Sequence, residues 1–260
     1  MNILDTIIAE KKREITLKKS IISYAQLENS DLFHSKTNSL SKSILNSPYG
    51  IIAEHKRRSP SKNTINTRFS VEEVTKGYEN AGASGISILT DTTFFGGSLD
   101  DLLLARACVQ TPLLRKEFII DEYQIIEAKS YGADAILLIA SVLTNQEIKE
   151  LSNFAHSLAL EVLLEVHNLN ELEKSIMPTI DIIGVNNRNL KTFEVDLQNS
   201  IDLITHIPNE FTMISESGIT KPEEILLLKS HGFDGFLIGE NFMKTANPGK
   251  SLEQFIAKLH

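Results

Sequence analysis

The feature that most limits what this 260-residue chain can become is an alternation that begins at Gly50, in which short apolar runs are separated by longer segments of helical spacing. The runs are GIIAE (50–54), GISILT (85–90), PLLRK (112–116), AILLI (135–139), EVLLEV (161–166), DIIGV (181–185), FTMISE (211–216) and GFLIG (235–239), eight in all. Between them VEEVTKGYENAG, YQIIEAKSYGA, NQEIKELSNFAHSLA and KPEEILLLKSHG repeat apolar residues at the period of a helix, and several end in glycine, a common helix stop. Strands that are apolar on both faces must be covered on both faces. Eight such parallel strands with intervening helices close into an α/β architecture, the (β/α)8 TIM barrel, more economically than into an open doubly wound sheet. No GxGxxG follows the first strand, which weighs against a dinucleotide-binding sheet.

The barrel is expected over residues 48–260, preceded by a helical N-terminal extension over 1–47 in which LDTIIAEKKREITLKKSI gives way to the polar stretch HSKTNSLSKS. Residues 1–260 therefore read as one domain. Spacing does not decide whether the extension covers the bottom of the barrel or folds over its mouth. Hydrophobic residues make up 42% of the chain and charged ones 23%, enough apolar material for a large core. A net charge of -8 offers no general attraction to nucleic acid or to anionic membranes, and the basic clusters Lys11-Lys12-Arg13 and Lys56-Arg57-Arg58 are too short to supply one. Cys108, the single cysteine, excludes an intramolecular disulfide and reads as part of an apolar helix. The N-terminus has no secretory pattern and no apolar run reaches the ~18 residues that span a bilayer, so the chain is expected to stay cytoplasmic.

In barrels of this kind chemistry sits at the carboxyl ends of the strands. Polar residues closing the apolar runs are Glu54, Lys56, Asp91, Lys116, Glu165, Asn186, Arg188, Glu216, Ser217, Gly239 and Glu240. Any one of them is more often a rim ion pair than a catalyst. Two lysines and several glutamates converging from different strands are harder to explain that way, because burying such charge costs several kcal/mol unless it is paired or serves a ligand. SGI (217–219) and LIGENFMK (237–244) put glycines after the seventh and eighth strands, where main-chain N–H groups and a short helix start can hold a phosphate. The bland alternative is that Gly218 and Gly239 only make tight turns. The seven histidines form no HExxH or HxH pair, so no metal is expected and none is expected to be catalytic. His55, between Glu54 and Lys56, should face outward under the helices, since side chains alternate along a strand. Arg57, Arg58 and Lys62 read as rim charges.

Several longer motifs carry a resemblance: IAEHKRRSPSK (52–62), SILTDTTFFGGS (87–98), LLRKEFIIDEYQI (113–125), LLEVHN (163–168), GVNNRNLKTFEVD (184–196), ISESGI (214–219) and LIGENFM (237–243). Together with the helical extension they resemble the indole-3-glycerol-phosphate synthase family over essentially the whole barrel. The resemblance implies ring closure of 1-(2-carboxyphenylamino)-1-deoxy-D-ribulose 5-phosphate, with loss of carbon dioxide and water, by a monomer that needs no cofactor. It makes Lys116 the general acid at the ribulose carbonyl, with a pKa expected to be lowered by desolvation. Lys56 would hold the substrate carboxylate and Glu165 would be the base for dehydration. Glu54 would orient Lys116 or assist Glu165, while Asn186 and Glu216 would meet the sugar hydroxyls or the intermediate. Phosphate would meet Arg188, Ser217, Gly218, Gly239 and the N–H of Glu240, with Ser59 near the rim, and Phe95, Phe118, Leu137 and Leu237 would sandwich the aromatic ring. His55, Glu117 and Asn63 depart from the residues usual at their positions, and Asn63 in place of glycine is expected to change the mobility of the first βα loop. A neighbouring phosphate-binding isomerase barrel would not need Lys56, Lys116 and Glu165 together, and a barrel turned binding protein should have lost one of them.

Overall fold

The computed structural model describes residues 3–60, 62–189 and 192–259. Helices α1 (Ile3–Ile21), α2 (Tyr24–Glu28) and α3 (Leu40–Leu45) precede strand β1 (Ile51–His55). The first half of the alternation is α4 (Val71–Asn80), β2 (Gly85–Leu89), α5 (Leu99–Cys108), β3 (Leu113–Lys116), α6 (Glu122–Ser130), β4 (Ala135–Ile139) and α7 (Asn145–Ser157). The second half is β5 (Glu161–Val166), α8 (Leu169–Ser175), β6 (Ile182–Asn186), α9 (Gln198–Ile204), β7 (Thr212–Glu216), α10 (Pro222–Ser230), β8 (Gly235–Ile238), α11 (Glu240–Met243) and α12 (Pro248–Ile256). The strands pair in parallel in sequence order and close where Ile52 of β1 sits opposite Leu237 of β8, which makes the (β/α)8 barrel. Several helix starts have a local reason in the sequence. Ser70 and Glu73 form a capping box at α4, Thr144 and Glu147 another at α7, and Pro222 opens α10.

Two apolar layers result. One lies between the sheet and the outer helices, and the other fills the barrel, with Ile52, Leu114, Leu163 and Ile214 contributed by the four odd-numbered strands. Leu40 and Ile44 belong to that inner layer although they sit on α3, so α3 stops the bottom of the barrel. Ser39 and Ser41 fix it there by hydrogen bonds to Glu161 at the start of β5, and Ser43 donates to the carbonyl of Ser84. From the sequence this segment reads only as the polar end of the helical extension. The helix is six residues long and its apolar content is Leu40, Ile44 and Leu45, too little to show as periodicity.

α1 goes the other way, to the mouth. Its buried residues Ile7, Lys11 and Ile15 are four apart and share one face. Lys11 Nζ lies 3.0 Å from Asp91, just past β2, 3.1 Å from Glu117, just past β3, and 2.7 Å from Glu14. The extension thus covers both ends of the barrel. Cys108 ends α5 half-buried against the outer core, as expected of a packing residue. Among the described residues no helix is long and apolar enough to cross a membrane.

Candidate active site

Along each odd strand a charged residue follows two positions after the inner apolar one: Glu54 after Ile52, Lys116 after Leu114, Glu165 after Leu163, Glu216 after Ile214. The period of two keeps them on the inner face, so the layer above the apolar one is made of three carboxylates and a lysine. Lys116 Nζ stands 2.5 Å from Glu216 Oε2 and 3.0 Å from Glu165 Oε2. Lys56, one further step up β1, meets Glu54 Oε1 at 2.6 Å. Glu54 therefore forms its ion pair with Lys56, and reaches Lys116 only through its field.

Space for these groups comes from missing side chains. A Cβ on Gly184 would fall 2.2 Å from Glu216 Oε1, and one on Gly239 would fall 2.4 Å from Glu54 Oε1. Any larger residue at either place would displace a carboxylate of the layer.

The electrostatics correct one expectation. Burial alone would lower the Lys116 pKa, but Glu216, Glu165 and Glu54 outweigh it and hold the ammonium above the ordinary lysine value. Burial pushes Glu165 up, and Lys116 with His167 more than reverses this, bringing it down to about 2. Glu216 goes the other way, to about 7, because burial and the negative charges of Glu165 and Glu54 exceed the pull of Lys116. Two carboxylates sharing one lysine thus divide into an ionised member and one that keeps its proton toward neutrality.

The charged layer, Lys56, Asn186, Ser59, Arg188, Ser217, Gly218, Gly239, Glu240, Phe95, Phe118, Leu137 and Leu237 line one cavity of about 240 Å3 at this end of the barrel, whereas Asp91, also singled out from the sequence, lies outside it and pairs with Lys11. Phe95 and Phe118 face each other with ring centroids 5.9 Å apart. At the opposite side Ser217 and Gly218 both take left-handed backbone, with φ of 68° and 84°. Ser217 is held in that costly conformation by Asn187, whose side-chain amide donates to the Ser217 carbonyl at 3.1 Å. Gly239 caps the single turn of α11 beside it, and Glu240 of that turn pairs with Lys62 at 2.5 Å. Two successive left-handed residues after β7 and a helix start after β8 line the same cavity, an arrangement able to hold an anion.

The remaining rim charges tie loops together. Arg57 makes a two-point ion pair with Asp101 and donates to the Gly96 carbonyl at 3.0 Å, and Arg58 donates to the carbonyls of Thr92 and Thr93. Asn63 is not among the left-handed residues, so its position makes no demand that only glycine meets. Ser61 of the SPSK motif lies outside the described residues. His55 faces outward and is buried, and burial, helped by Arg57, lowers its pKa to about 4.

Sequence reasoning missed three contributions. Ile3, Leu4 and Ile7 of α1 line the cavity, as do Phe193 and Lys244 from loops. Loop residues carry no period that would announce them. Lys11, read from the sequence only as one of a short basic cluster, is buried midway between Ile7 and Ile15. Glu117, just past β3, reaches it at 3.1 Å. Among the described residues no group of three or more His, Cys, Asp or Glu is placed to hold a metal ion.

A profile of the indole-3-glycerol phosphate synthase family matches residues 4–255. The indole-3-glycerol phosphate synthase of Bacteroides thetaiotaomicron is 49% identical over 258 residues, covering 99% of both chains, and that of Bordetella pertussis is 39% identical over 260 residues, covering 98% of this chain and 99% of its own. Among solved structures, 3-hexulose-6-phosphate synthase from Salmonella typhimurium superposes with a TM-score of 0.61 at 11% identity, covering 81% of this chain and 99% of that one. The tryptophan synthase complex from Pyrococcus furiosus gives 0.59 at 16%, covering 80% and 96%. At such identities these two likenesses speak for the barrel alone. The full-length match to the profile and to its relatives decides the rest: the chain belongs to the indole-3-glycerol phosphate synthase family.

Proposed function

We propose that this chain is a carboxy-lyase that closes 1-(2-carboxyphenylamino)-1-deoxy-D-ribulose 5-phosphate to indole-3-glycerol phosphate, releasing carbon dioxide and water. The observation that carries the reading is the charged layer of Glu54, Lys116, Glu165 and Glu216, set between an aromatic wall and an anion cradle in one cavity. The substrate has the same three parts in the same order: a carboxylated aromatic ring, a polar open-chain sugar with a carbonyl, and a phosphate. With the phosphate on Ser217, Gly218, Gly239 and Glu240 N–H, beside Arg188 and Ser59, the ring reaches Phe95, Phe118, Leu137 and Leu237. The carbonyl then lies over the charged layer, and Lys56 is free to meet the ring carboxylate.

Chemistry follows from the charges. As the ring carbon bearing the carboxylate attacks the carbonyl carbon, the carbonyl oxygen gathers negative charge, and Lys116 gives it a proton. The carboxylates around Lys116 guarantee that this proton is present at neutral pH, and an alkoxide is basic enough to take it even from a strengthened ammonium. Carbon dioxide departs and leaves its bonding electrons to the ring. The new hydroxyl then leaves as water with a proton from Lys56, freed by departure of the carboxylate, while Glu165 removes a proton from the newly closed ring. Asn186 and Glu216 hold the sugar hydroxyls. Apolar walls that exclude water strengthen each of these interactions.

The same reading makes residues 1–47 and 48–260 one folding unit, since α3 stops the barrel and α1 is ion-paired to its mouth. It has the enzyme act as a cytoplasmic monomer on a small phosphorylated molecule, without cofactor, nucleic acid or membrane. The test is fluorescence. The chain contains no tryptophan, so indole emission that grows on mixing with the substrate reports product against a low background. Wild type should give that signal, and Lys116→Met should nearly abolish it while still binding a phosphate ligand. A folded wild-type protein that gives none refutes the reading.

A further inference from the structure

One buried titratable group beside Glu165 is left without a task. His167 follows the end of β5, two residues beyond Glu165. Its Nε2 is 3.4 Å from Glu165 Oε1 and its Nδ1 is 3.1 Å from Glu171 Oε2. Glu171 is itself fixed: it accepts the main-chain N–H of His167 at 2.8 Å and the side-chain amide of Asn168 at 2.8 Å, and Asn168 caps its N–H in return. The imidazole therefore stands between two carboxylates, one braced by the first turn of α8 and the other in the charged layer. Nε2 is buried and has no hydrogen-bond partner among the described residues, and Glu165 is the acceptor within reach of a small shift.

We propose that His167, braced by Glu171, is a positioning residue for Glu165, holding that carboxylate ionised and aimed into the cavity. The inference rests on the synthase reading, in which Glu165 is the base. The groups facing the imidazole are Glu171 from α8, Glu165 from β5 and Glu216 from β7, with Lys116 of β3 beyond Glu165. Burial pulls His167 toward its neutral form, but these carboxylates outweigh burial and raise its pKa above the ordinary 6.5. The need for it arises during turnover. When Lys116 turns to the carbonyl oxygen, Glu165 loses its lysine at the stage where it must be ionised, and the imidazolium is the cation that stays beside it.

His167→Gln and Glu171→Gln test this beside wild type, with kcat and KM measured from pH 4.5 to 9. In His167→Gln, kcat should fall about tenfold with KM within about twofold, and the acid limb of kcat should move up by about one unit or more, since an opposite charge at this distance is worth one to three. Glu171→Gln should shift the limb the same way by less, and it decides the matter if His167→Gln does not fold. A side chain that only packs would lower stability without moving the limb. An unmoved acid limb in both folded variants, with wild type active, overturns the role of His167 and leaves the synthase reading intact. An inert wild type overturns that reading and this inference with it.

Discussion

Replacing Lys11 by methionine should loosen the protein more than any other single change on α1. Methionine keeps the length and most of the apolar stem of the lysine, so the loss is confined to the ammonium. That group sits 3.0 Å from Asp91 and 3.1 Å from Glu117, and all three side chains are 2% exposed. Removing one partner of a buried ion pair costs about 3–5 kcal/mol, because the other is left charged and unsolvated. The orphaned acids keep other partners here. Asp91 still accepts the N–H groups of Phe94 and Phe95, and Glu117 still has Thr90 Oγ1 at 2.9 Å, the N–H of Phe118 and, at 3.7 Å, Arg115. The cost should therefore lie at the lower end, about 3 kcal/mol.

For a chain of this size that is roughly 6–12 °C in Tm. Thermal and urea unfolding of Lys11→Met should show the loss in a single transition, if the extension and barrel unfold as one unit. A second readout is KM, which should rise several-fold, because Ile3, Leu4 and Ile7 of the same helix line the cavity. Adding Glu117→Gln and Asp91→Asn to Lys11→Met should recover part of the stability, since neutral amides tolerate burial without a cation. A variant within 1 kcal/mol of wild type, or a triple variant weaker than the sum of its parts, would refute the view that this buried cluster fastens α1 to the mouth.

Leu40→Ala should cost about 2–5 kcal/mol and leave turnover per folded molecule nearly unchanged, because Leu40 is fully buried at the end of the barrel away from the charged layer; urea unfolding and specific activity together check it. His55 and Glu216 should give opposing pH slopes of stability. His55, at about 4 when folded and 6.5 otherwise, adds stability that is lost as pH falls through this window, while Glu216, at about 7 against 4.5, adds stability at low pH that is lost as pH rises. Between pH 4.5 and 6.5 the two tend to cancel. His55→Leu should tilt the urea midpoint downward with rising pH relative to wild type and Glu216→Gln should tilt it upward, each by at most about 3 kcal/mol, and parallel slopes in the two variants would contradict the assignment.

The strands were legible to within one residue because each is apolar on both faces, and only a fully covered barrel strand needs that. The charged layer was legible for the same reason. A glutamate or lysine two positions after the inner Ile52, Leu114, Leu163 and Ile214 must point where they point, toward the barrel axis. What the sequence held back were quantities that depend on partners from elsewhere in the chain. The sign of the Lys116 shift is one of them: Glu216, Glu165 and Glu54 together outweigh desolvation, and their arrival around the lysine is fixed by closure of the ring. Lys11 is another, since a lysine on an apolar stripe is unstable until Asp91 and Glu117 come to meet it. His167 carried a plainer signal, two residues after Glu165 and just past the end of β5, which a search for histidine metal motifs passes over. Charge on the even strands would have crowded the layer, but there Leu137 and Leu237 are apolar and Gly184 has no side chain at all. Four odd strands supply the charges of the layer, and the even ones leave them room.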